Sequence, residues 1–538
     1  MALKLSRIRK RISFGNATLI LVATSSLAQI LGFLRTKFIN ANFIGANVPS
    51  DQNAGVYFAA FVLPDFFFFT IAAGALGVAF MPYLSDRLAR GDRKGIWQLS
   101  SSLINVLSAA MFVVGLALLL FATPLSHVLT HGYTPDQQAN VATMMRILAF
   151  NPMIFGISGV ISAVQQVYGR FFFYAIAPIF YNVSIIISIF VFRHNIGIVG
   201  LAIGAVVGAV LQLLVVLLGN YGLEFKWRPK IEWGSTDFRQ MLRQLPPRSL
   251  DQGLDQVQNI VDTSIASGIR THIGGGATAV SNYNNAYVLH TAPILLVGTT
   301  IATAFFPRMN ARLSQGRPDL FRSDFLRTLR MMIWVILPVA VVSFFARGYL
   351  ARLIFSRNSS DISVIFGALV VAIIFRVLFA IISRWFYAQK DTRTPLMVSI
   401  FVIALNVILS YTLSRPTAYG VQGIAFAQSI VAAVEVIILV AVMLYRDKKL
   451  FDKQFLNGLF KIISVTGFSL VAGYIAVSYL PLGKFDTGPI VLGSKLMIIT
   501  GAVFMTHLFV SWLFALDEAD ALVSTIKRFI FKRVKIEM

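Results

Sequence analysis

Long apolar runs recur along the whole chain, separated by short polar segments. A membrane-crossing helix needs about 20 apolar residues. Fourteen stretches meet that need: 16–39, 55–80, 98–123, 140–168, 172–192, 195–219, 247–271, 280–306, 325–346, 362–387, 395–414, 419–445, 456–480 and 489–515. The seventh is studded with polar residues. The first follows a basic segment, Lys4, Arg7, Arg9, Lys10 and Arg11. It is too long for a signal-peptide core and lacks a clear small-residue cleavage site, so a retained first helix is expected. The pattern predicts an all-α polytopic membrane protein of about 14 transmembrane helices.

Composition agrees. Of 538 residues, 57% are apolar and 13% charged, about half the charged share usual in soluble proteins. Mean hydropathy is +0.74. The absence of cysteine excludes disulfides, thiol catalysis and Cys-ligated metals. The net charge of +24 can point to nucleic acid, anionic lipid or membrane topology. With the N-terminus inside, spans alternating and helix ends counted with the adjoining segments, 35 of the 47 basic residues fall inside, 9 outside and 3 (Arg35, Arg146 and Arg376) deeper within spans. That is the positive-inside rule. Both termini are expected on the cytoplasmic side. No basic domain remains for nucleic acid, and anionic phospholipids are expected partners.

The two halves repeat each other. Ala79-Phe80-Met81-Pro82, Arg87-Leu88 and Gly91 recur as Ala304-Phe305-Phe306-Pro307, Arg312-Leu313 and Gly316, at an offset of 225. Gly197-Ile198-Val199-Gly200-Leu201-Ala202 recurs as Gly420-Val421-Gln422-Gly423-Ile424-Ala425, at an offset of 223. The implied plan is two six-helix repeat lobes plus two C-terminal helices. The first lobe covers 1–219, a basic linker 220–246, the second lobe 247–445, and the extra spans with a basic tail 446–538. In transporters built this way, substrate binds near the midplane and one lobe rocks against the other.

Ionisable residues within spans are costly and default to functional candidates. The seventh span holds Arg248, Asp251, Gln252, Asp255, Gln256, Asn259 and Asp262. At 3.6 residues per turn, Gln252, Asp255, Asn259 and Asp262 form one polar stripe, lining a transport pathway or a wet seam. Asp65 follows Pro64 in the second span and serves either the pathway or the carbonyl that proline frees. Arg35, near the outer end of the first span, either snorkels or forms an anion site. Arg146 and Arg376 occupy equivalent places in the two halves, where interlobe pairing or snorkelling is expected. Glu435 is expected paired or protonated, and His290 and His507 packed as polar core. No His/Asp/Glu cluster has metal-ligand spacing. Ser281-Asn282-Tyr283-Asn284-Asn285-Ala286-Tyr287 suits sugar hydroxyls, with Asn285 as candidate, or a solvated helix start. No phosphate loop, dinucleotide fingerprint or nucleophile elbow is present, and no loop exceeds about 27 residues. No catalytic domain or resident cofactor is expected, and transport would draw on a gradient or on substrate flux.

The segment from Ile30 to Asp92 resembles the N-terminus of the lipid II flippases, the MurJ/MviN family of the MOP exporter superfamily. The residues that carry the resemblance are Ile30-Leu31-Gly32-Phe33-Leu34-Arg35, Phe58-Ala59-Ala60-Phe61-Val62-Leu63-Pro64 and Gly74-Ala75-Leu76-Gly77-Val78-Ala79-Phe80-Met81-Pro82. Ala304-Phe305-Phe306-Pro307 and the stretch Phe386-Tyr387-Ala388-Gln389-Lys390-Asp391-Thr392-Arg393-Thr394-Pro395 also match. The resemblance implies movement of a polyprenyl-pyrophosphate disaccharide-pentapeptide from the inner to the outer leaflet of the bacterial cytoplasmic membrane, beside the cell-wall synthesis machinery. It implies a cavity lined by spans 1, 2, 7 and 8, where arginines hold the pyrophosphate, and a tail groove on the last two spans. Arg35 matches the second arginine of the family's Ser-Arg-x-x-Gly-x-x-Arg motif. Gln29, Gly55, Asp65, the run Phe66 to Phe69, Ala73 and Val288 stand where the family carries other polar or charged residues. Either the positive charge has moved, to Arg248 or Arg376, or the substrate is less anionic. The resemblance also implies Asp262, Asn406 and Ser410 as a sodium site, with sodium or proton coupling. A cation-coupled exporter, a flippase of another polyprenyl-linked glycolipid and a degenerate membrane scaffold are the alternatives, the first favoured by the acidic stripe.

Overall fold

The structure, a computed structural model, describes residues 14–45, 47–73, 80–223, 226–271, 274–355, 357–415 and 417–519. Within these, the side chains of 14–22, 73, 244–252 and 255 lie outside the described set. The regular elements are helices: α1 (Phe14–Phe43), α2 (Ala54–Phe67), α3 (Met81–Ala89), α4 (Arg93–Leu129), α5 (Pro135–Leu148), α6 (Asn151–Val167), α7 (Phe172–Phe192), α8 (Val199–Leu218) and α9 (Thr236–Ser267). They continue as α10 (Gly276–Pro293), α11 (Thr300–Ser314), α12 (Pro318–Phe345), α13 (Arg347–Phe355), α14 (Ser359–Ala388), α15 (Arg393–Leu413), α16 (Val421–Arg446), α17 (Lys453–Tyr479) and α18 (Pro489–Leu513). Among the described residues, twelve helical runs are long and apolar enough to cross a membrane. Of the fourteen expected spans, the first (α1) and the polar seventh (α9) are helical but not among those twelve.

Local chemistry sets the helix ends. Asp92 caps α4 by accepting from the Gly95 N–H at 2.8 Å, and Asp452 caps α17 through Phe455 N–H at 2.7 Å. Thr134 and Gln137 form a reciprocal capping box at α5. The fourth span, expected as one helix, breaks at 149–150 before the α6 proline, Pro152.

The repeat is visible in the backbone. Gly91 and Gly316 close the matching helices α3 and α11 with φ of +75° and +67°. Gly197 and Gly420 precede α8 and α16, also at positive φ, +67° and +55°. Both pairs use the left-handed conformation that glycine reaches without a Cβ clash. Among the described residues each half also carries a π-helical segment, Phe68–Ala73 after α2 and Ile294–Thr299 after α10. Each follows a proline inside the preceding helix, Pro64 and Pro293. Proline removes a backbone donor, and a widened turn relieves the mismatch this leaves in the ladder.

The chain forms two compact units, residues 1–281 and 282–538. In the first, α8 lies on α7 through Gly200, Gly204 and Gly208, at four-residue spacing. A Cβ at Gly208 would come within 3.0 Å of the Tyr181 carbonyl oxygen. This is the small-residue packing that membrane helices use to approach closely. A core of Phe80, Leu84, Trp97, Leu103 and Val164 also takes in Phe238 and Met241 from the start of α9.

That last contact changes the reading of 220–246. The end of this basic linker that leads into α9 is capped and packed. Ser235 caps α9, which starts inside it, and Asp237 pairs with Arg87 at 3.0 Å. The seventh span, assigned by the repeat to the second lobe, therefore belongs to the first unit. Its Gly253 meets Thr70 of the π segment, where a Cβ would come within 2.9 Å.

In the second unit the last two spans are integral. Trp334, Ile462, Val465 and Val510 form one cluster, and Tyr349, Leu492 and Ile499 another. Trp334 donates to Ser511 at 2.9 Å, and Arg330 pairs with Asp517 at 2.6 Å and with Glu518.

Candidate functional site

Among the described residues, two charged groupings inside the membrane-crossing region stand out, one in each unit. In the first unit it lies at the junction of α1, α2 and α7. Arg35 on α1 is half-buried, and its Nε is buried without a hydrogen-bond partner. Asp65 on α2 is half-buried one residue after Pro64. Arg35, Asp65, the buried Tyr57 and Tyr181 lie near enough to act on one another electrostatically. Arg35 and Asp65 make no ion pair with each other within 4 Å. The cation is thus placed by its helix, not clamped by a carboxylate. A buried guanidinium edge without an acceptor is costly, and an incoming anion would satisfy it.

On α9, Asp262 is 1% exposed, Gln258 is buried, and Asn259 is half-buried. Arg248, Asp251, Gln252 and Asp255 share this helix, but their side chains lie outside the described residues.

At the start of α10 the amide-rich segment is not solvated. Ser281, Asn282, Tyr283 and Asn285 are all buried, Asn285 fully. Asn53 ahead of α2 donates to Thr278, its counterpart at the repeat offset of 225, at 3.1 Å. In the second unit Asn282 donates to Asp361 at 3.4 Å and accepts from Asn358 at 3.3 Å.

The second grouping is an ion pair within the second unit. Arg376 on α14 contacts Glu435 on α16 at 3.2 Å, and Ser399 on α15 donates to the other Glu435 oxygen at 2.8 Å. Glu435 is 2% exposed. Three helices meet on one carboxylate, so this charge is satisfied in place. Arg376 and Arg146 do not behave alike, despite equivalent positions. Arg146 is exposed and donates to Thr123 at 2.7 Å, while Arg376 pairs with Glu435 inside its own unit.

Nearby in sequence, Asn406 and Ser410 on α15 are buried, and the Ser410 hydroxyl donates to the Asn406 oxygen at 2.8 Å. His507 is packed against Trp334 and shares a 3.1 Å hydrogen bond with Ser469. His290 is 3% exposed, lies against Tyr287 and has neither ring nitrogen hydrogen-bonded.

The structure therefore brings Arg35 and Asp65 into one neighbourhood, and Asn406 and Ser410 into another. Sequence reasoning missed the Ser399 contact on Glu435 and the nearness of Tyr57 and Tyr181 to Arg35. A serine or tyrosine in an apolar run carries no charge signal, so only packing reveals it.

Comparison with known proteins gives the fold and residues a context. The family model described as lipid II flippase MurJ matches residues 40–494. The chain is 23% identical over 465 residues to a probable lipid II flippase MurJ of Borreliella burgdorferi, covering 85% of this chain and 88% of that protein. It is 25% identical over 399 residues to the lipid II flippase MurJ of Burkholderia cenocepacia, covering 72% and 75%. Among solved structures, it superimposes on a lipid II flippase MurJ in an inward closed conformation with a TM-score of 0.73 at 20% identity, covering 92% of this chain and 98% of that one. An inward-facing multidrug resistance MATE transporter of the MOP superfamily gives 0.62 at 16% identity, covering 82% and 98%. These two share the fold. With most of its length matched by the family model, this chain belongs to the lipid II flippase MurJ family.

Proposed function

We propose that this protein flips a lipid-linked peptidoglycan precursor, lipid II, from the inner to the outer leaflet of the bacterial cytoplasmic membrane by alternating access. The observation that carries this reading is the family match over residues 40–494. The site supports it through Arg35, a helix-borne cation with a buried unpartnered Nε inside an apolar span.

The physical problem is a large polar headgroup crossing a core of about 30 Å. Moving its charges through hydrocarbon is prohibitive. A wet path between two rocking halves lets the headgroup cross while the polyprenyl tail stays in lipid. Arg35 would receive pyrophosphate, with Arg248 as a second cation. Asp65, Asp255, Asn259 and Asn285 would contact the sugar and peptide polar groups. Binding that differs between inward and outward states would shift their populations. Both termini lie on the cytoplasmic side in this reading. No catalytic group is assigned, because the precursor leaves unchanged.

Coupling is assigned to Asp262, Asn406 and Ser410 with sodium or a proton. Asp262→Asn should remove any ion dependence of flipping. Persistence of that dependence places the ion elsewhere.

The deciding experiment is flipping of lipid II by the purified protein in vesicles. Transfer above protein-free vesicles supports the reading, and its absence refutes it. A second reading, a cation-coupled exporter, is favoured by the acidic stripe Asp251, Asp255 and Asp262. Depletion that shifts drug susceptibility tenfold while lipid II sidedness stays normal would favour it.

A further inference from the structure

Residues 226–232, between α8 and α9, run as irregular chain across the Ser101–Asn105 part of α4. Their sequence alternates: Lys226, Arg228 and Lys230 interleave with Trp227, Pro229 and Ile231. A two-residue alternation suits a segment whose alternate side chains face different ways. The structure uses that alternation. Trp227, Pro229 and Ile231 roof a cavity of about 430 Å³. Its floor is Ile104 of α4, Ile157 and Ile161 of α6, and Leu217 of α8. Lys226, Arg228 and Lys230 are exposed on the strap and form no ion pair among the described residues. Glu232, half-buried, is the one acid in the same stretch.

Side chains of α4 fix the strap. Asn105 donates to the carbonyls of Arg228 and Lys230 at 2.8 and 3.1 Å and accepts from Trp227 Nε1 at 3.0 Å. The backbone N–H groups of Arg228 and Glu232 donate to Ser101 and Ser102 at 3.4 and 3.1 Å. The same residues locate the strap in the bilayer. Ser100, Ser101, Ser102 and Asn105 end the polar part of α4, and Val106 to Ala122 follow with Ser108 as the one hydroxyl. That run of 17 residues rises about 25 Å, close to the hydrocarbon thickness. The strap is therefore at headgroup level. Trp227 and Trp233, 53% and 57% exposed, are what that level selects.

We infer that the strap and the cavity beneath it bind an anionic phospholipid of the adjoining leaflet. One acyl chain occupies the cavity, and the headgroup phosphate lies along Lys226, Arg228 and Lys230. Charge complementarity selects the occupant. A zwitterionic lipid fills the cavity equally well but leaves the row of cations without a net counter-charge. A cation beside an anionic surface contributes roughly a fivefold gain in binding. Removing all three is expected to lower affinity at least tenfold.

The test uses the full-length protein in nanodiscs of phosphatidylcholine. A fixed fraction is either phosphatidylglycerol or phosphatidylcholine brominated on its acyl chains. The Trp227 signal is the fluorescence difference between wild type and Trp227→Phe, since five other tryptophans are present. Expected is Trp227 quenching by brominated phosphatidylglycerol several-fold above that by brominated phosphatidylcholine. Lys226→Gln/Arg228→Gln/Lys230→Gln should equalise the two lipids, and Ser108→Phe, which fills the cavity, should reduce both. Equal quenching of wild type by the two lipids, or none from either, overturns the inference. The wild-type comparison is decisive by itself, so it stands even where a variant fails to fold.

Discussion

Two arginines within the apolar spans face opposite situations. Arg376 in the second unit is closed against Glu435, which Ser399 also holds. Arg35 in the first unit has a carboxylate neighbour, Asp65, but no ion pair within 4 Å, and its Nε is buried unpartnered. Both residues look alike in the sequence, each an arginine within an apolar span. The difference is what an intramembrane charge is for. A charge whose partners are supplied by its own fold contributes to that fold. A charge left incompletely satisfied is poised for a ligand.

The sharpest break of this comparison is Glu435→Ala. It leaves the Arg376 guanidinium uncompensated, and thermal unfolding in detergent should show a loss of about 3 kcal/mol or more. Arg376→Leu/Glu435→Leu should recover most of it, since apolar replacement of a whole buried pair is often neutral. A Glu435→Ala protein that melts like wild type yet flips poorly would move this pair into the transport machinery. Next in size, Arg35→Ala should lower lipid II flipping tenfold or more, about 1.4 kcal/mol, while leaving the melting temperature unchanged. Full flipping by that variant makes Arg35 a headgroup anchor.

A third, smaller effect lies at the water-facing turn between α14 and α15. Burial raises the Asp391 carboxyl, but the Thr394 hydroxyl and N–H and the Arg446 guanidinium outweigh it and hold the pKa at about 2. The unfolded value is near 3.9. A depressed folded pKa gives stability that is present above the unfolded value and lost as pH falls towards the folded one. Asp391→Asn should cost about 1 kcal/mol at neutral pH, as caps do. The gap in melting temperature from wild type should narrow as the pH drops from about 5 to about 2. A gap independent of pH would show that the carboxylate's charge is not the stabilising element.

Much of the fold is legible in the sequence because hydrocarbon leaves a chain little choice but helix. Runs such as 98–123 and 489–515 appear as α4 and α18. The repeat offset is legible because Gly91, Gly316, Gly197 and Gly420 occupy backbone conformations that demand glycine. The π segments are half legible, since Pro64 and Pro293 mark them but hydropathy does not distinguish a widened turn from a regular one. The linker misleads. Its net charge marks only a basic linker, while its two-residue alternation, visible at Lys226 to Ile231, fits a strap. Assignment of the seventh span follows the repeat, and Phe238 and Met241 in the first unit's core override it. The site is legible one residue at a time, through Arg35 and Asp65, because charge is rare in a span. Its tyrosine neighbours are not.

The strap also shapes how the chain meets a protease. Trypsin needs an extended stretch free to enter its cleft, after lysine or arginine. Residues 226–230 offer three such side chains in five positions, all exposed. Yet Asn105 holds the carbonyls of Arg228 and Lys230, Ser101 receives the Arg228 N–H, and Pro229 blocks cleavage after Arg228. The most basic exposed stretch between α8 and α9 is thus a poor place to nick, against the usual vulnerability of loop tips. Limited digestion should leave wild type joined across this point and cut an Asn105→Ala protein there.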